Sequence, residues 1–248
     1  MKDRKKILVL MAAGSGVRMG ASLPKQFLEL AGKPVLQRSM EIFLDAVPDI
    51  QVITVLPKEY FTWWKEKCLA MNFTCPQLLV AGGITRFHSV RNALLRIREE
   101  AIVAIHDGVR PLVSPELLER MFVRMESGSC RALIPVIPSV DTLKVLDWKE
   151  DAAGNRTLSL SDETVDRNRI WGAQTPQLFL SEDIRAAYSQ PYDTAFTDDA
   201  SVAVKKGIPL SFCLGERYNI KLTTPEDFAL AEKLQANPPF RNFRAYNP

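Results

Sequence analysis

Apolar residues follow two rhythms along this chain. Short unbroken runs, Ile7 to Met11, Gln51 to Leu56, Leu78 to Ala81, Ile102 to Ile105 and Ala132 to Val136, read as buried strands. Between the first two, Leu36, Met40, Phe43, Leu44 and Val47 fall at i, i+4, i+7, i+8 and i+11, which lays one apolar stripe along a helix. Helices are also predicted over Glu59 to Met71, Ser89 to Glu99 and Glu116 to Glu126. Ser114 before Pro115 offers an N-cap oxygen and a preset first turn, and Thr224-Pro225-Glu226-Asp227 repeats the device near the end. Strand and helix thus alternate, the pattern of an α/β fold. The expectation is one Rossmann-like, three-layer domain with a mainly parallel mixed sheet and helices on both faces.

From about 140 to 162 the rhythm changes. Asp141 to Asp147 reads as a strand, Lys149 to Asn155 as a turn and Thr157 to Leu160 as the returning strand. A lone β-hairpin has too little core to stand by itself, so this arm should project and dock, with a second copy of the chain as the expected partner. The domain then spans residues 1–236, arm included. The tail, residues 237–248, opens on Asn237-Pro238-Pro239, which cannot continue a helix, and is expected to be loosely attached.

Composition narrows the classes. A chain of 248 residues, 46% of them hydrophobic, can bury a sizeable core as one large domain, whereas two would be cramped. The net charge of +3 is small against 32 basic and 29 acidic side chains, and no block of like charges marks a nucleic-acid or membrane surface. A small anionic ligand is favoured. Cys68, Cys75, Cys130 and Cys213 lack metal-site spacing and read as reduced thiols of a cytosolic protein. The basic start leads into an apolar run that breaks at Gly14, with neither a cleavage-like site nor a spanning length, so the expected compartment is the cytoplasm.

Directly after the first strand comes Ala12-Ala13-Gly14-Ser15-Gly16-Val17-Arg18-Met19, small residues where backbone N–H groups can approach an anion. It is not a P-loop, because the Gly-Lys pair, Gly32-Lys33, is followed by Pro34 and lacks the earlier glycine, Phe27 standing there. It is a poor dinucleotide fingerprint, because Met19 occupies the third glycine position and Leu56-Pro57 stands where an acid should end the second strand. What distinguishes it is a pair of cations, Arg18 and Lys25. A triphosphate needs such arms, since charge moves onto pyrophosphate as it leaves.

Five separated motifs, in order, resemble the 2-C-methyl-D-erythritol 4-phosphate cytidylyltransferases of isoprenoid precursor synthesis over nearly the whole chain. They are the small-residue loop with Arg18 and Pro24-Lys25-Gln26; Gly82-Gly83 with Arg86 and Ser89-Val90; His106-Asp107-Gly108-Val109-Arg110-Pro111; Thr164-Val165-Asp166-Arg167-Asn168 with Trp171 and Gln174-Thr175-Pro176-Gln177; and Thr197-Asp198-Asp199-Ala200-Ser201 with Asn219-Ile220-Lys221. The resemblance implies that Ala12, Ala13, Gly14, Ser15, Gly16, Gly83 and Ser89 surround CTP, with Gly83 and Ser89 at the base and ribose end. It also implies that Arg110, Thr142, Arg167, Thr175 and Thr197 hold a polyol phosphate, Arg167 reaching in from a partner subunit on the arm. Thr197 is equally well explained as a helix N-cap. Two departures are Ile84, where relatives often carry an acid, and Gly108-Val109 in place of the frequent Ala-Ala pair.

The expected reaction is an in-line attack of the polyol phosphate on the α-phosphorus of CTP, aided by Arg18, Lys25 and Lys221, with Asp107 holding Mg²⁺ against the phosphates. His88 and His106 read as structural, Trp171 as core beneath the substrate loop, and of Trp63 and Trp64 one is expected buried. A ribitol-5-phosphate cytidylyltransferase is the nearest alternative, sharing the loop, the His-Asp-x-x-Arg-Pro segment and the Gln-Thr-Pro-Gln segment but not the substrate end. A catalytically silent nucleotide-binding protein on the same fold is the alternative from another class.

Overall fold

A computed structural model describes residues 4–14, 23–151 and 153–236. In chain order the elements are β1 (Lys5–Met11), a 3-10 turn (Lys25–Phe27), the small hairpin β2 (Glu29–Leu30) and β3 (Lys33–Pro34), α1 (Val35–Ala46), β4 (Gln51–Leu56), α2 (Phe61–Ala70), β5 (Gln77–Ala81), α3 (Arg86–Leu94), β6 (Ala101–Asp107), α4 (Pro115–Glu126) and β7 (Ala132–Pro138). The arm, β8 (Leu146–Glu150) and β9 (Arg156–Leu160), follows. Then come β10 (Trp171–Ala173), β11 (Gln177–Leu180), α5 (Ser181–Ala187), α6 (Asp199–Lys205), β12 (Ser211–Leu214) and α7 (Pro225–Ala236).

Eight strands make one sheet, ordered β5-β4-β1-β6-β11-β7, with β10 and β12 also paired to β7. The pairings of β1, β4, β5 and β6 are parallel, β11 runs against both β6 and β7, β10 runs against β7, and β12 is parallel to β7. The sheet is therefore parallel except for β10 and β11, the mixed sheet expected from the alternating pattern.

Side chains of β1 alternate between two cores. Leu8 and Leu10 pack with Leu36, Met40 and Phe43 of α1, Trp64 of α2 and Leu117, Met121 and Met125 of α4. Ile7, Val9 and Met11 pack on the other face with Val90 and Leu94 of α3, Ile184 of α5 and Val202 of α6. These are the three layers. A third, smaller core of Leu30, Val35, Val109, Leu112, Leu222 and Ala231 seats α7 against the β2–β3 hairpin and the loop after β6.

Cap chemistry places the helix ends. The Ser114 hydroxyl accepts the Leu117 N–H at 3.0 Å, and the Thr224 hydroxyl accepts that of Asp227 at 3.3 Å. α3 begins three residues before the predicted start, because Thr85 is its N-cap and accepts from the His88 N–H. The first arm strand is Leu146–Glu150 rather than Asp141 to Asp147. Its register follows from the turn: the Asp151 carboxylate accepts N–H groups of Ala153 and Asn155, which sets Glu150 opposite Arg156 and moves Lys149 and Glu150 from turn into strand. Trp171 is 46% exposed on β10, not core, because that short strand pairs with the outer end of β7. Trp64 is buried and Trp63 partly exposed, and the four cysteines are free thiols, as expected. No helix among the described residues is long and apolar enough to cross a membrane.

Candidate active site

The carboxyl ends of β1, β4, β5 and β6 lie along one edge of the sheet, the edge where open α/β folds bind ligands. Their registers pair Met11 with both Val55 and Asp107, and Leu56 with Ala81, so the chain leaving each strand starts at one level. Backbone bonds lock these exits together: Ala12 N–H to the Val55 carbonyl at 2.9 Å, Gly82 N–H to Leu56 at 2.8 Å and Gly108 N–H to Met11 at 2.8 Å. Gly82 is a glycine by close approach, since a Cβ there would lie 2.5 Å from that of Ala13.

The Ala12–Gly14 segment is braced by the turn at Lys25–Phe27. Buried Gln26 donates its amide N–H groups to the carbonyls of Ala12 at 2.7 Å and Gly14 at 3.1 Å, while Phe27 packs on Tyr60, Trp63 and Trp64. Lys25, the first residue of this 3-10 turn, is thereby carried beside the loop. On the other side, the Ser89 hydroxyl accepts the Gly83 N–H at 2.9 Å and donates to the Thr85 carbonyl at 2.9 Å, which shapes the Gly82-Gly83 turn.

At the centre is Asp107, the last residue of β6 and 8% exposed. Three cations face its carboxylate: Lys221 Nζ at 3.0 Å, Arg110 Nε at 3.5 Å and Arg86 Nε at 3.9 Å. Burial opposes its ionisation, but Arg86, Lys221 and Arg110 together outweigh that and hold the carboxyl well below the usual carboxylate range. Its N–H is bonded to the Thr175 hydroxyl at 3.1 Å. That hydroxyl also meets His106 Nδ1 at 3.2 Å, and His106 Nε2 lies 3.1 Å from the Arg110 carbonyl. Burial pushes His106 down to about 4, so it is neutral at physiological pH and both ring nitrogens are engaged in scaffolding.

Lys221 sits on the loop between β12 and α7, not at a strand end. Two anchors flank it. Fully buried Asn219 donates its side-chain amide N–H to the Thr175 carbonyl at 2.8 Å while its backbone carbonyl accepts from Arg110 at 2.6 Å, and the Leu222 N–H reaches the Val109 carbonyl at 2.9 Å. Gln174 exchanges bonds with the backbone of Glu216, at 2.7 and 3.0 Å, holding the start of the same loop. Gln177 spans to α6, donating to Asp198 at 2.8 Å and accepting the Ala200 N–H at 2.9 Å. The Gln-Thr-Pro-Gln segment is thus a bracket with three ends: the Lys221 loop, Asp107 and α6. Asn219→Ala should accordingly raise KM and lower kcat by about tenfold together through a loosened Lys221 loop, measured by steady-state kinetics on folded variant; an unchanged kcat would deny the anchor that role.

A family model described as 2-C-methyl-D-erythritol 4-phosphate cytidylyltransferase matches residues 6–236. The chain belongs to that family. Proteins of that name from Bacteroides fragilis and Porphyromonas gingivalis are each 42% identical to it, over 91% and 94% of this chain and 97% and 98% of theirs. A crystal structure of the 4-diphosphocytidyl-2C-methyl-D-erythritol synthase of Anaerococcus prevotii superposes with a TM-score of 0.74 at 26% identity, covering 94% of this chain and 99% of that one.

All but Thr197 of the site residues predicted for this cytidylyltransferase fall into three groups. Ala12, Ala13, Gly14, Lys25, Gly83, Ser89, Asp107, Arg110, Thr175 and Lys221 belong to the strand-edge assembly just described. Thr142 and Arg167 do not: both are exposed at the base of the arm, where Arg167 donates to the Val140 carbonyl at 3.3 Å. Ser15, Gly16 and Arg18 lie outside the described residues, as does the tail. Thr197 is exposed and is not the N-cap of α6; Asp198 is, in a capping box with Ser201. Ile84 is 92% exposed, so the change from an acid there leaves the turn's own bonds untouched. Sequence reasoning left Gln26, Gln174, Gln177, Asn219 and Asp199 without roles, though each is a polar residue buried within a motif it had marked.

Proposed function

We propose that this chain carries out its family's reaction, the conversion of CTP and 2-C-methyl-D-erythritol 4-phosphate to 4-diphosphocytidyl-2-C-methyl-D-erythritol and pyrophosphate, by one in-line displacement at the edge formed by the Ala12–Gly14 loop and Asp107. The observation that carries this reading is the lysine, Lys221, flanked by the Asn219 side-chain anchor and the Leu222 backbone anchor and set beside a buried carboxylate. The attacking group is already an anionic phosphate, so no general base is needed. Rate then comes from alignment and from charge stabilisation by Arg18, Lys25 and Lys221. Gly83, within the turn that Ser89 shapes, faces the nucleoside end.

Mg²⁺ fits this donor set in one way. Among the described residues no three acidic, histidine or cysteine side chains cluster, but one hard carboxylate is enough for Mg²⁺ that arrives on a triphosphate. Asp107 would hold it, and when bound it would neutralise charge on the phosphates. Chelation should abolish turnover and added Mg²⁺ restore it, read by pyrophosphate release.

The acceptor end belongs to a homodimer in this reading, with Arg110, Thr175 and Thr197 from one subunit and Thr142 and Arg167 from the arm of the other. On the arm, Leu146 faces Leu160 and Trp148 faces Leu158. These four side chains, 47% to 67% exposed, form an apolar face with Asp147, Ser159, Lys149 and Thr157 on the other side. Such a self-complementary patch suits a two-fold interface. Trp148→Glu should turn a dimer into a monomer by light scattering and lower kcat about a hundredfold by removing the neighbour's Arg167; a wild-type monomer at full activity would contradict the shared site. Residues 1–236 act as one cytoplasmic nucleotidyltransferase domain.

The mechanism is tested by label transfer. With CTP labelled at the α-phosphorus, protein alone should retain no label after denaturation, and label should appear in product only once the polyol phosphate is added. A labelled protein would require a covalent intermediate and sink the single-displacement reading.

A further inference from the structure

One buried group near the site is not used by this mechanism. Asp199, the first residue of α6, is 0% exposed. Both its oxygens are taken by the guanidinium of Arg86, in a two-bond fork at 2.7 and 2.6 Å, and the Tyr188 hydroxyl donates to one of them. Arg86 opens α3 directly after the Gly82-Gly83 turn, and its third nitrogen, Nε, is the atom that faces Asp107 at 3.9 Å. Burial disfavours the Arg86 charge, but Asp199, then Asp107, more than compensate, so the guanidinium stays a cation wedged between two carboxylates.

We infer that Arg86 is a positioning residue for cytidylyl transfer: clamped by Asp199, whose carboxylate also accepts from Tyr188, it fixes the Asp107 carboxylate relative to the nucleotide turn and to the N-terminus of α6. This rests on the reading of Asp107 as part of the site. Arginine suits the task because its planar fork binds one carboxylate in a fixed plane while an edge nitrogen is left for the other. Lysine, a single point of charge, cannot do both. The clamp also ties together three separate chain segments that must agree in position: the turn at 82–83, the end of β6 and the N-terminus of α6.

A bland alternative is that Arg86 merely neutralises a buried acid, and the two roles separate experimentally. Arg86→Met alone strands the Asp199 charge in the interior and should lower the melting temperature steeply. The double variant Arg86→Met/Asp199→Leu removes both charges, and such apolar replacements of buried pairs are often neutral or stabilising. The double variant is expected to recover the melting temperature yet keep a kcat about a hundredfold below wild type, with KM for CTP changed far less. Recovery of wild-type kcat along with stability would overturn the inference. Arg86→Lys covers the case in which the double variant does not fold: it keeps a cation beside Asp199 and should fold, but lose kcat by at least about tenfold, and wild-type kcat there would also overturn the inference. Asp107→Asn, measured alongside, separates the two levels. If it is inactive while Arg86→Lys is normal, only the positioning role fails; if it is fully active, the reading of the site fails with it.

Discussion

Replacing Lys25 with alanine should lower kcat a hundred- to a thousandfold, the equivalent of about 2.7 to 4 kcal/mol of transition-state stabilisation, by analogy with loss of an oxyanion donor. Its cost in stability should be far smaller than its cost in rate. The two effects separate because the structural work of this turn is done by the next two residues. Gln26 holds the carbonyls of Ala12 and Gly14, and Phe27 packs into the aromatic cluster on α2. Lys25 itself contributes a half-buried cation beside the Ala12–Gly14 segment, where, in the proposed reaction, charge grows on the departing pyrophosphate. Steady-state kinetics with a thermal melt on the same preparation reads both quantities, and near-normal turnover would remove Lys25 from the mechanism.

Lys221→Ala is the second large effect, a fall in kcat of about a hundredfold or more by the same reasoning. Its stability cost should be small. The Lys221 side chain is 44% exposed, so its 3.0 Å pair with Asp107 is screened by solvent, and Arg110 and Arg86 still face the carboxylate when it is gone. Asn219 and Leu222 keep the loop in place. Lys221→Arg should recover part of the rate, because the charge returns on a longer and planar group. A destabilised variant with normal kcat would recast Lys221 as a partner that Asp107 needs for folding.

How much of this was legible beforehand depends on the length of the signal. The parallel strands β1, β4, β5, β6 and β7 were read nearly to the residue because each carries at least four apolar positions in a short run, and Gln51–Leu56 matched at both ends. β10, β11 and β12 are three or four residues long and α5 and α6 seven each, too short for a period to show. The arm was found but its first strand was placed too early, since Thr142 and Leu143 are as acceptable in a strand as Trp148 is, and only the Asp151 turn decides the register.

The site divides in the same way. Asp107, Lys25 and Lys221 were legible as charges within recognisable motifs. What the charges stand on was not. Arg86 and Asp199 are 113 residues apart, and nothing local says that of the neighbouring acids Asp198 and Asp199 one caps a helix while the other is buried against an arginine. The amides of Gln26, Gln174, Gln177 and Asn219 carry no charge to attract notice, yet each satisfies backbone groups that the converging strand ends and loops would otherwise leave unpaired.

Those brackets explain how the chain gathers Arg86, Arg110 and Lys221 around Asp107, and in the proposed function the acceptor is what gives that cluster its purpose. The most direct test is pyrophosphate release from CTP with 2-C-methyl-D-erythritol 4-phosphate and, separately, with ribitol 5-phosphate, at equal concentrations and with Mg²⁺ present. Rapid release with the first and little with the second is the predicted result. Turnover with ribitol 5-phosphate alone, or with neither, would contradict the account.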